Sequence, residues 1–68
     1  MKRIYVNGRA FYARDEVCGA RGWWWIERYC YARRGDAYPA MRRVSEGFRT
    51  RAALMNAKRA DRLAFASG

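Results

Sequence analysis

The chain has 68 residues, a formal net charge of +9, two Cys and no His. That length holds one small domain, marginal on its own unless large side chains enlarge its core; three Trp, five Tyr and three Phe supply them. Two Cys without His do not complete a tetrahedral zinc site, His-based acid–base catalysis is excluded, and the Arg-dominated charge favours a polyanionic partner.

The first strand is predicted at residues 3–6, ending in Asn7-Gly8, a turn pair that accepts positive φ at both positions. The second is predicted at 9–18, followed by a glycine-bounded turn, Gly19-Ala20-Arg21-Gly22. Residues 23–32 form the third. Its run from Trp23 to Tyr31 is aromatic and β-branched with no internal Gly or Pro, the strongest strand signal in the chain.

Alternation sends Trp24, Ile26, Arg28 and Cys30 to one face and Trp23, Trp25, Glu27, Tyr29 and Tyr31 to the other. If Cys18 lies opposite Trp23, then Val17 faces Trp24, Arg14 faces Glu27, Tyr12 faces Tyr29 and Phe11 faces Cys30. In that register Ile4, Val6, Phe11, Ala13 and Val17 share the inner face, where Asp15 and Arg28 are diagonal neighbours able to pair. Cys18 and Cys30 point to different faces, so no disulfide is expected between them.

Arg33 to Pro39 reads as a loop from its Gly, Asp and Pro. A fourth strand is predicted at about 40–48, with Val44 and Phe48 inward and Met41, Arg43 and Ser45 outward. Thr50 is the expected N-cap of a helix over 51–65. Its small-residue stripe, Ala53, Ala57, Ala60 and Ala64, is flanked by Leu54 and Leu63, while Arg51, Lys58 and Arg62 lie opposite. Residues 66–68 are expected to fray. The fold class is therefore α+β, a single ββββα domain: a four-stranded antiparallel meander with one C-terminal helix on its inner face.

An enzyme is not expected. Ser45, Thr50 and Ser67 have no evident base beside them, the six acids are scattered among 15 basic residues, and there is no Gly-rich phosphate loop. Neither a signal peptide nor a membrane-length apolar run is seen, which predicts a cytoplasmic protein with reduced thiols, no cofactor and no membrane partner. The outer sheet face is the predicted site. It displays Tyr12, Arg14, Trp23, Trp25, Tyr29, Tyr31 and Arg43, with Arg33 and Arg34 in the adjoining loop and Tyr5 and Glu27 on the same surface. Aromatic rings can stack on unpaired bases, and Arg can bridge phosphates or read guanine.

The order of elements, with Ser45, Phe48 and Thr50 leading into a helix that carries Ala53 and Ala57, resembles the arm-type, AP2-like DNA-binding domain of phage integrases. The resemblance covers about the last two-thirds of the chain. It implies a helix-backed sheet lying in the DNA major groove, in a stand-alone module of a phage or other mobile element. The alternative is a phage-encoded inhibitor, of the anti-CRISPR kind, binding a host protein or nucleoprotein complex through the same face, because Trp, Tyr and Arg also dominate protein hot spots. A third reading is a homodimer formed through that face.

Overall fold

The structure is a computed structural model, and it describes residues 1–66. Strands β1 (Lys2–Val6), β2 (Arg9–Ala20), β3 (Trp23–Tyr31) and β4 (Met41–Val44) form one antiparallel sheet in sequence order, and one helix, α1 (Arg51–Arg59), packs on it. This is the expected ββββα architecture. No helix of the described residues is long and apolar enough to cross a membrane.

Both hairpins close through two-residue turns with positive φ at both positions: Asn7 and Gly8 at 51° and 78°, Arg21 and Gly22 at 54° and 79°. Such turns match the right-handed twist of the strands they join. The second turn corrects the expected register. Ala20 lies opposite Trp23 and Cys18 opposite Trp25, so β2 runs two residues further than predicted. Gly19 belongs to the strand because the Trp24 indole lies over it; a Cβ there would come within 2.8 Å of that ring. A shift of two preserves the faces, since side chains alternate with period two. Ala13 now faces Cys30, Val17 faces Ile26, and Asp15 faces Arg28 directly rather than diagonally.

The fourth strand is corrected more deeply. Glu27 faces Val44 and Arg28 faces Arg43, yet Trp24 bridges to Phe48, so the chain gains one residue between Val44 and Phe48. Ser45 begins this bulge: its N–H donates to the Ile26 carbonyl at 2.7 Å, and its Oγ accepts the Ile26 N–H at 2.8 Å. A bulge inverts the alternation beyond it. Phe48 therefore points inward as expected, but Met41 and Arg43 share the inner face of Cys30 and Arg28, while Arg42 and Val44 share the outer face of Tyr29 and Glu27.

The helix begins as expected, with Thr50 Oγ1 accepting the Ala53 N–H at 3.1 Å. It ends six residues before residue 65. Asp61 takes the left-handed conformation at φ 54°, its N–H donates to the Lys58 carbonyl, and the Arg62 N–H donates to the Ala57 carbonyl at 2.8 Å. That pair of bonds is a Schellman closure, with Asp at the position where Gly is usual. The chain then extends antiparallel to the end of β4. Ser45 bridges Phe65, the Glu46 N–H donates to the Ala64 carbonyl, and the Ala66 N–H donates to the Val44 carbonyl. The small-residue stripe thus stops at the helix end, and Ala66 is anchored rather than frayed. Ser67 and Gly68, also expected to fray, lie outside the described residues.

The inner face buries two groups of side chains. Phe11, Ala13 and Cys30 are backed by Ile4, Val6 and Met41. Nearer the helix, Ile26, Leu54 and Ala57 are buried, Ile26 and Leu54 completely. Between the two groups Arg28 donates to Asp15 through Nε and one Nη, at 2.8 and 3.1 Å, and lies 4.2 Å from the Phe65 ring centroid. The awkward inward charges therefore pair with each other.

Candidate functional site

One carboxylate organises the outer face. Glu27 is only 9% exposed although it lies on the side away from the helix. Its alternation partners on β3 both reach it: the Trp25 indole donates to Oε1 at 3.3 Å and the Tyr29 hydroxyl to Oε2 at 2.5 Å. Arg42, opposite Tyr29 on β4, completes the set with an ion pair to Oε1. The Tyr29 bond, aided by Trp25 and Arg42, holds the carboxyl below the usual carboxylate range against the opposing effect of burial. The same bond raises the Tyr29 phenol, and the bond to Glu27 raises Arg42. The expected partner of Glu27, Arg14, instead pairs with Glu16 at 3.2 Å, because the register shift places Glu16 opposite Glu27. Two like charges facing across a sheet repel, and each here has its own Arg.

Guanidinium groups lie over the rings of this face. Arg14 and Arg42, from the two strands flanking β3, lie 5.6 and 5.5 Å from the Tyr29 centroid. Arg49 lies 4.4 Å from the Trp23 centroid and Arg3 lies 5.7 Å from that of Tyr5. An Arg held against an aromatic face keeps its charge and the free edge of its donor fork. Among the described residues neither Arg3 nor Arg49 has an ion-pair partner.

The structure brings most of the predicted residues together. Arg14, Trp25 and Tyr29 lie around Glu27 at the centre of the patch, with Tyr12 half-buried beside them. Trp23 is 45% exposed at one end of β3. Tyr31 lies on this face but is buried, which leaves it little surface to offer a ligand. Arg33 and Arg34 are exposed in the loop after β3, where Asp36 accepts the Arg33 backbone N–H at 3.0 Å. Arg43 is the exception: the bulge puts it on the inner face, and Arg42 takes its place.

Arg42, Arg49 and Arg3 were not among the predicted site residues. The signal for Arg49 was its position just after an inward Phe48, which puts it on the outer face. Cys18 also lies outward; burial raises its thiol pKa, with Glu27 nearby adding to the effect, so it is a weak nucleophile. Among the described residues no group of three or more acids and Cys could hold a metal. The arrangement leaves Arg3 and Arg49 as planar cations able to meet an oxyanion, while Arg14 and Arg42 also carry their pairs with Glu16 and Glu27.

No protein-family model, curated protein or solved structure matches this chain.

Proposed function

We propose that the outer sheet face binds duplex DNA, chiefly through its phosphates, as a small basic module of the mobile-element kind that the sequence resembles. The observation that carries this reading is the set of ring-backed guanidiniums, Arg3, Arg14, Arg42 and Arg49. Rings that lie beneath Arg, or are tied to Glu27, serve better as mounts for cations than as platforms for unpaired bases. This favours phosphate contacts on a duplex over stacking on a single strand. Size agrees: the longest extent is 33 Å, close to the roughly 34 Å of one turn of B-DNA. Arg33 and Arg34 beyond one end of β3, and Arg49 at the other beside Trp23, extend the cationic line along the strand.

Fluorescence anisotropy with a labelled duplex and its separated strand tests the reading. The duplex should bind more tightly, and Arg42→Gln with Arg49→Gln should weaken it. Equal or tighter binding of the single strand, with loss on Trp23→Ala or Tyr29→Phe, would transfer the function to base stacking.

A second reading rests on Trp23, whose exposed indole beneath Arg49 has the composition of a protein hot spot. A host-directed inhibitor would bind one protein or nucleoprotein target with weak salt dependence, and Trp23→Ala would remove most of that affinity. Self-association of this face opposes a net charge of +9 on each copy.

A further inference from the structure

The inner face holds a second pair of guanidiniums, on the side of the sheet away from the ring-backed set. A cavity of about 360 Å³ opens between the β1–β2 hairpin and the C-terminal extended segment, lined by Ile4, Tyr5, Val6, Asn7, Arg28, Arg43 and Phe65. The two guanidiniums come from directly opposed residues on β3 and β4. Arg28 is largely engaged, with Nε and one Nη on Asp15 and its plane over Phe65. The Arg43 side chain has neither an ion-pair partner nor a hydrogen bond among the described residues, and its Nε is buried without an acceptor.

Two facing cations repel, and Asp15 neutralises only one of them. The cavity wall therefore carries two guanidiniums, of which only Arg28 is directly paired with a carboxylate, and one buried donor lacking a partner, an arrangement native proteins rarely leave in place. An oxyanion entering beside half-buried Arg43 meets its charge directly, and Nε gains an acceptor once the side chain turns toward it. The remaining walls, Ile4, Val6 and Phe65, are apolar. The geometry points to a binding site for a small organic oxyanion, a carboxylate or phosphate carried on an apolar or aromatic body. Arg43 supplies the bidentate charge, Asn7 a polar rim, and the apolar walls select for the body.

The test is an NMR titration of isotope-labelled protein at constant ionic strength, with phenyl phosphate, benzoate, inorganic phosphate and phenol as probes. The site predicts saturable shifts of the Arg43 Nε–H and the Phe65 ring with phenyl phosphate or benzoate. Weaker effects are expected with inorganic phosphate, which lacks the apolar body, and with phenol, which lacks the charge. The preferred headgroup is read from the two aromatic probes. Arg43→Gln should weaken the better probe about tenfold, the loss expected for one charge-assisted contact. It should leave DNA affinity nearly unchanged, whereas Arg42→Gln should do the opposite. The site is refuted if the probes shift exposed cations such as Arg51 and Lys58 as much as Arg43, or if Arg43→Gln binds them unchanged. Inorganic phosphate binding as tightly as phenyl phosphate would overturn the apolar part of the assignment. These outcomes concern the inner face alone, so the DNA reading stands or falls separately.

Discussion

Glu27→Gln is the sharpest perturbation of the outer face, because one side chain there accepts from Trp25, Tyr29 and Arg42 together. Gln keeps the shape but loses the charge, and turns an NH₂ toward donors that need acceptors. A buried hydrogen bond to a charged group contributes about 1.5–3 kcal/mol, and unmaking it leaves the donor unpaired. The ion pair with half-exposed Arg42 adds little, because solvent screens it. Relief of the facing Glu16 charge returns about 0.2–1 kcal/mol. The balance is a loss of about 2 kcal/mol, a fall of roughly 10 °C in Tm for a domain of this size.

The effect also has a pH signature. Glu27 has a lower pKa folded than unfolded, so its contribution is fully present above the unfolded pKa and is lost as pH falls through the folded one. Thermal melts followed by circular dichroism should show the full gap between wild type and Glu27→Gln at neutral pH. The gap should narrow as pH falls below the usual carboxylate range and close as it passes through the lower folded pKa. Tyr29→Phe should lower the wild-type Tm but add little to Glu27→Gln, because both remove the same bond. A Glu27→Gln protein that melts with wild type at neutral pH, or a gap that persists unchanged in acid, would refute the role given to this carboxylate.

Three other substitutions check the fold. Gly19→Ala should destabilise by about 1–3 kcal/mol in urea melts, since its Cβ would stand 2.8 Å from the Trp24 ring; a neutral result would mean that Gly19 is a turn residue after all. Ser45→Ala removes the acceptor of the buried Ile26 N–H and should cost about 1–3 kcal/mol, whereas Ser45→Thr should retain most of it. Asp61→Gly should stabilise by up to about 1 kcal/mol, because Gly takes the left-handed helix end more readily; loss of stability there would show that the Asp61 charge, which acts on Arg28, outweighs the backbone gain.

The sheet faces were legible because alternation along the run from Trp23 to Tyr31 is insensitive to a register shift of two. The exact register was not legible. Gly19 and Gly22 bound the same apparent turn, and only the Trp24 ring over Gly19 shows that just one of them turns the chain. The bulge at Ser45 was hidden for a similar reason: Gly47, which sits under the Trp23 ring with a Cβ position 3.1 Å from it, is an ordinary strand or loop glycine in sequence. Missing that one residue exchanged Arg43 for Arg42 in the site. The helix end was masked by composition. Ala60 to Ala64 reads as good helix former, and nothing in a run of Ala, Arg and Leu announces that Asp61 will adopt positive φ. The rings of the site were therefore readable, and the pairing of each Arg to its ring was not.

The central claim, that the outer face meets DNA phosphates, is tested most directly by the salt dependence of duplex binding for two charge-matched variants. One carries Arg14→Gln, Arg42→Gln and Arg49→Gln; the other carries Arg51→Gln, Lys58→Gln and Arg59→Gln on the helix. Both lose the same net charge, and each phosphate contact contributes about 0.9 to the slope of log K against log salt on B-DNA. The outer-face variant should lose between two and three from that slope, by the same rule, and bind far more weakly at low salt. The helix variant should keep the wild-type slope. Equal losses in both variants, or a loss confined to the helix variant, would contradict the assignment of the aromatic face as the DNA-binding surface.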